Sequence, residues 1–141
     1  MFQTVKSLEE TKTLAETIAL KLPTTRCLLL KGGLGAGKTT FSKYLIHALT
    51  GVSLEEIVSP TYSYVHLYPN KIAHFDLYRV TSFDALEELG LEEILVDKSV
   101  IKIIEWPEIA LSLLPRNRLE ITIEHLDNEQ RAITLEDVVC V

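Results

Sequence analysis

The stretch Lys31-Gly-Gly-Leu-Gly-Ala-Gly-Lys-Thr-Thr40 holds the residue types that grip a phosphate. Gly32 to Thr39 fits the spacing G-x-x-x-x-G-K-[ST] of a P-loop. Gly32, Gly33, Gly35 and Gly37 let the backbone curl until successive N–H groups point at one anion. Lys38 carries a cation that would reach β- and γ-phosphates, and the Thr39 hydroxyl would join a Mg²⁺ shell. A helix opening here adds unpaired N–H donors and the positive end of its dipole. The nucleotide-binding set is therefore Gly32, Gly33, Leu34, Gly35, Ala36, Gly37, Lys38, Thr39 and Thr40. The competing reading is a glycine-rich turn that merely precedes a helix. Without nucleotide, Lys38 is expected to have no partner.

Two carboxylates end apolar runs further along. Val100-Ile-Lys-Ile-Ile-Glu105 reads as a buried strand closed by an acid, the Walker-B pattern, and its neighbour should be the strand feeding the loop. Mg²⁺ prefers hard oxygen ligands in octahedral geometry, so it needs an oxygen-bearing arm opposite Thr39, and Glu105 fits that place. Asp76 closes Ile72-Ala-His-Phe75 and reads as a metal-associated or water-orienting carboxylate, or else as a surface acid at a strand end. His74 shares its face and reads first as a structural histidine. Arg79 would either stabilise γ-phosphate charge in cis or pair with Asp76. Trp106, the sole tryptophan, either borders the site beside Glu105 or fills core.

Elements that could position these groups follow from periodicity. Cys27-Leu-Leu-Leu30 suits a buried strand, and Phe41, Tyr44, Leu45, Ala48 and Leu49 recur at helical spacing until Gly51. Ser7-Leu-Glu-Glu10 is a capping box. Leu8, Ala15, Ile18 and Leu22 are expected to form one apolar face, with Pro23 ending the segment. That helix start packs around the loop strand or borders the nucleotide base, and Phe2 to Val5 suits a short edge strand. Tyr62, Tyr64 and His66 alternate with Ser63, Val65 and Leu67, Pro69-Asn70 turns, and Lys71 to Leu77 returns, which predicts a hairpin. Ser82 to Gly90 and Leu91 to Asp97 read as short acidic helices. Leu119 to Glu124, the turn Asp127-Asn-Glu-Gln130 and Ala132 to Val139 predict a second hairpin. The fold class is α/β: one three-layer P-loop NTPase domain over residues 1–141, with a mixed sheet whose parallel core is extended by antiparallel hairpins at residues 61–78 and 118–139.

The 141 residues are 47% hydrophobic, enough for one domain with a proper core. The formal charge of −6 argues against a surface that holds nucleic acid by its own electrostatics. No apolar run approaches a membrane span, and Met1 to Lys6 lacks the apolar core of a signal peptide. Cys27 and Cys140 do not read as a disulfide framework. The expected location is the cytoplasm, with no membrane partner.

Five motifs stand in one order: Gly-Leu-Gly-Ala-Gly-Lys-Thr-Thr (33–40), Ser-Pro-Thr-Tyr (59–62), His-Phe-Asp-Leu-Tyr-Arg (74–79), Glu-Leu-Gly-Leu (88–91) and Ile-Glu-Trp-Pro-Glu (104–108). Together they resemble TsaE, the bacterial ATPase family formerly called YjeE, over essentially the whole chain. Gly33 departs from the family's usual Asp, which bears on loop rigidity more than on activity. The resemblance implies a part in making N6-threonylcarbamoyladenosine (t6A37) in tRNAs that read ANN codons. It implies ATP and Mg²⁺ as cofactors and the TsaB–TsaD heterodimer as partner. ATP hydrolysis would reset that transferase between turnovers, and tRNA would be met only through the complex. By the same resemblance Lys38, Asp76, Glu105 and Thr61 are the catalytic set, with Thr61 as a switch threonine sensing the γ-phosphate. Thr39, Glu105 and Asp76 are the metal set, and the division of roles between Asp76 and Glu105 is open.

Three other readings compete. A GTPase needs a guanine-reading N-K-x-D, but Asn70-Lys-Ile-Ala73 has Ala at the deciding place. A small-molecule P-loop kinase usually has a basic lid, and Arg116, Arg118 and Arg131 are too scattered for one. A nucleotide-binding structural partner without turnover would share every motif and differ in phosphate release.

Overall fold

The alternation of strand and helix signals resolves into a single seven-stranded sheet of order β1-β7-β6-β2-β5-β4-β3 in the computed structural model, which describes residues 1–127 and 129–138. Asn128 of the predicted turn, Val139 at the end of the predicted hairpin, and Cys140 lie outside the described residues. The strands are β1 (Phe2–Val5), β2 (Cys27–Lys31), β3 (Val65–Tyr68), β4 (Ile72–Asp76), β5 (Ile101–Glu105), β6 (Arg118–His125) and β7 (Arg131–Val138). The four central strands β6, β2, β5 and β4 are mutually parallel, and β3, β7 and β1 add antiparallel edges. Purely parallel strands need both faces covered, and β2, β4 and β5 are apolar on both.

Helices supply that cover. Leu28, Leu30, Ile72, Ile103 and Ile121 turn to one face and pack with Leu14, Ile18, Phe41 and Leu45 of α1 (Leu8–Ala19) and α3 (Lys38–Thr50). Cys27, Leu29, Phe75 and Ile104 turn to the other. There they meet Leu86 of α4 (Phe83–Glu88), Leu95 of α5 (Glu92–Val96) and Ala110 of the 3-10 helix Pro107–Leu113. The result is three layers, with the sheet between two apolar clusters.

Several local expectations change in three dimensions. The capping box forms, but Glu10 Oε2 accepts from Lys6 N at 2.6 Å, one residue before the Ser7 cap. Leu8 is exposed, and the buried face of α1 is Thr11, Leu14, Ala15, Ile18 and Ala19. Pro23 does not end this helix; it sits in the first turn of a separate short helix, α2 (Leu22–Thr25), where its missing N–H costs nothing. The first hairpin is shorter than residues 61–78, because residues 61–64 turn instead of extending. Tyr64 takes φ +69°, its N–H donates to Pro60 O at 2.6 Å, and β3 starts only at Val65. Asn70 and Lys71, both at positive φ, then close the hairpin in the twist that suits tight two-strand turns.

Candidate functional site

The glycine-rich loop runs between the end of β2 and the start of α3, as the sequence requires. Gly32 sits at φ +150°, and a Cβ there would lie 2.4 Å from Ile123 O of β6, so this residue lets the loop pass the neighbouring strand. Gly37, at φ +109°, caps α3. Gly33 is different: its φ is negative and a Cβ would meet nothing within 4 Å. An aspartate would fit at that position without strain.

Lys38 does have partners, contrary to expectation. Its Nζ donates to Gly32 O at 2.6 Å and to Gly33 O at 2.9 Å, and lies 3.9 Å from the centroid of the Trp106 ring. The residue is 5% exposed. Burial pulls its pKa below the ordinary lysine value, while Glu105 and Asp76 pull it back up. Trp106, at φ +55°, also packs against Tyr78 with ring centroids 4.8 Å apart. It is half-buried at the site wall and forms no part of either core cluster.

The parallel register Leu30↔Glu105 sets the end of β5 beside the start of the loop, and Asp76↔Glu105 sets the end of β4 beside it in turn. Glu105 is 1% exposed and accepts three hydrogen bonds. Thr39 Oγ1 donates to Oε1 at 3.0 Å, Ser42 Oγ to Oε2 at 3.3 Å, and His74 Nε2 to Oε2 at 2.5 Å. A buried carboxylate must be satisfied in this way. Asp76 accepts from Thr61 Oγ1 at 3.1 Å and from Tyr78 N at 3.0 Å. Arg79 does not pair with Asp76; its guanidinium lies 4.9 Å from the centroid of the exposed Tyr62 ring.

Lys38, Thr39, Thr61, Asp76 and Glu105 all line one cleft of about 360 Å³, together with Leu34, Gly35, Ala36, Gly37 and Thr40. Gly32 and Gly33 are not in its lining and contribute their carbonyls to Lys38 instead. Among the described residues no group of three or more His, Cys, Asp or Glu could hold a metal ion alone. Mg²⁺ is usually held by one or two protein oxygens plus phosphates. The hydroxyl and carboxylate oxygens of Thr39, Asp76 and Glu105 are a hard donor set of that kind.

A family model described as "Threonylcarbamoyl adenosine biosynthesis protein TsaE" matches residues 5–133. The chain belongs to the TsaE family. It is 39% identical over 135 residues to the tRNA threonylcarbamoyladenosine biosynthesis protein TsaE of Rickettsia conorii, covering 94% of this chain and 75% of that one. The protein of the same name from Bacillus subtilis is 36% identical over 134 residues, covering 92% and 81%. In three dimensions the chain is similar to the crystal structure of Bacillus subtilis YdiB, with a TM-score of 0.70 at 28% identity over 99% of this chain and 86% of that one.

Against the TsaE motifs, the sequence reading missed two contributors. Arg131 opens β7, donates from Nε to Ala36 O at 2.9 Å, and lines the main cleft. It also lines a second cleft of about 260 Å³, bounded by Lys6, Leu8 and Thr11 at the start of α1 and by Thr40 and Ile133. Nothing local in the sequence marks it, because β7 reaches the loop only through the strand order. Ser42 was hidden by its own helix, three residues past Thr39 and on the same side. That spacing is the one signal that could have shown it.

Proposed function

We propose that this chain binds ATP with Mg²⁺ at the glycine-rich loop, hydrolyses it, and serves as the ATPase subunit for making N6-threonylcarbamoyladenosine in tRNA. The observation that carries the reading is the convergence of Lys38, Thr39, Thr61, Asp76 and Glu105 on one cleft from four separated segments. This takes the loop as a P-loop and residues 1–141 as one P-loop NTPase domain. The loop N–H groups and the start of α3 would hold the phosphates. Lys38, waiting on two carbonyls and the Trp106 face, would exchange them for phosphate oxygens and meet charge developing on transfer. The second cleft, at the start of α1, would take the base and ribose.

Thr39, Glu105 and Asp76 are the residues that would hold Mg²⁺, which supplies neutralisation of phosphate charge when bound. Glu105 is fixed by three donors and suits support of the metal shell. Asp76 has a freer setting and is joined to Thr61, which suits orienting the attacking water while Thr61 senses the terminal phosphate. The names of the relatives support the tRNA modification, and the charge of −6 fits a subunit that reaches tRNA only through partners. The partner is the TsaB–TsaD heterodimer and the place of action the cytoplasm. No helix among the described residues is long and apolar enough to cross a membrane.

The test is phosphate release from ATP and from GTP, with and without TsaB and TsaD, alongside repeated rounds of tRNA modification. ATP-specific release that rises with the partners, and modification that stalls without ATP, is the expected result. Nucleotide binding with no release under any condition would leave a structural partner in place of an ATPase. Phosphate appearing on a small molecule would indicate a kinase.

A further inference from the structure

His74 is completely buried in the fourth strand, on the face it shares with Ile72 and Asp76. Its sheet neighbours in register are His66 on β3 and Ile103 on β5, and Ile72 and Ile103 belong to the apolar cluster under α3. An aliphatic residue would suit that setting. The imidazole instead makes one polar contact, from Nε2 to Glu105 Oε2, and its Nδ1 is buried without a partner. A carboxylate oxygen accepts, so Nε2 is the donor in that contact, and the buried Nδ1 is left with no group to bond. Burying an unsatisfied nitrogen is a cost a leucine would not incur. What the histidine adds is the bond to Glu105.

That bond decides which oxygen faces the cleft. His74 and Ser42 together occupy Oε2, so Oε1 is left toward Thr39 and the phosphate cleft. Given the Mg²⁺–ATP reading above, we propose that His74 is a positioning residue that fixes the rotamer of Glu105 and presents Oε1 to the metal shell beside Thr39. It touches neither nucleotide nor metal. Partners of this kind behind a metal-supporting carboxylate typically change metal affinity by ~10–100-fold when removed.

The experiment measures nucleotide affinity as Mg²⁺ is titrated, by calorimetry and by Trp106 fluorescence, in wild type and in His74→Leu, His74→Asn and His74→Gln. Leucine removes the donor, and asparagine ends near the Nδ1 position and falls short of Glu105. The glutamine amide reaches the Nε2 position and restores a donor. The half-saturating Mg²⁺ concentration should rise about tenfold or more in His74→Leu and His74→Asn, and return to within about threefold of wild type in His74→Gln. Affinity for nucleotide without Mg²⁺ should be the same in all four. If His74→Leu does not fold, the contrast between the two amides carries the same test. A wild-type Mg²⁺ midpoint in His74→Leu or His74→Asn, or equal impairment of the two amides, would overturn the positioning role while leaving the cleft assignment intact. Absence of any Mg²⁺ dependence in the wild type would overturn the cleft assignment and this proposal with it.

Discussion

Thr39 Oγ1 and Glu105 Oε1 lie 3.0 Å apart, joining the first turn of α3 to the last residue of β5 across 66 positions of sequence. A hydroxyl and a carboxylate brought together in the cleft beside the glycine-rich loop would offer two oxygens to one hard cation, as proposed above. Glu105→Gln tests that pairing directly. Its amide oxygen would keep His74 and Ser42, which leaves the NH₂ toward Thr39 and the cleft. Mg²⁺-dependent nucleotide binding should weaken about tenfold or more, and stability should fall by ~1–2 kcal/mol. Unchanged metal dependence would remove Glu105 from the metal shell.

Asp76→Asn should behave differently. Its Oδ1 can keep Tyr78 N, and the new amide can still meet Thr61. Mg²⁺–ATP affinity is expected within a few-fold of wild type and turnover reduced ~100-fold or more, a loss confined to the transition state. Steady-state phosphate release set against calorimetric binding separates the two. Equal loss of binding in Asp76→Asn and Glu105→Gln would mean that both carboxylates share the metal.

Lys38→Ala should abolish hydrolysis and weaken ATP, because it removes the cation from developing phosphate charge. The hydrogen bonds to Gly32 O and Gly33 O add a second consequence. Thermal unfolding of the nucleotide-free variant should show a loss of ~1–2 kcal/mol, since two loop carbonyls lose a charged donor. Hydrolysis within a few-fold of wild type would rule out the P-loop role.

Arg131→Ala should lower nucleotide affinity about tenfold, the scale of one lost hydrogen bond to a charged group. Arg131→Lys should not restore it, because a lysine has no planar fork to reach Ala36 O and the two clefts together. Affinity equal to wild type in Arg131→Ala would confine the guanidinium to holding the loop.

Burial pushes the Cys27 thiol from its usual 9.0 up to about 11, with Lys102 and Arg118 opposing. The folded protein therefore holds this proton more tightly than the unfolded chain does. Its contribution to stability is complete below pH 9, falls as the pH rises and is gone near 11. Across those two units the wild type should lose about 3 kcal/mol relative to Cys27→Ala. Denaturant titrations across that range, in a Cys140→Ser background, would show it. Parallel slopes in the two proteins would contradict the raised pKa.

What the sequence determined by itself was local. The glycine spacing with Lys38 and Thr39 placed a glycine-rich turn between a strand and a helix, and two apolar runs ending in Asp76 and Glu105 marked strand ends. Those readings depend on periods of two and 3.6 residues and on the φ preferences of glycine, which a few neighbours decide. The tertiary structure decided which of these pieces meet. The strand order puts β5 beside β2 and carries β7 to the loop, so Glu105 finds Thr39 and His74, and Arg131 finds Ala36. It also turned residues 61–64 away from the strand that their alternation predicted, through a hydrogen bond from Tyr64 to Pro60. Lys38 rests on two carbonyls and an aromatic face because the folded loop and Trp106 surround it. Backbone ladders between distant strands fix such contacts. Their register is a property of the whole sheet that no window along the chain contains.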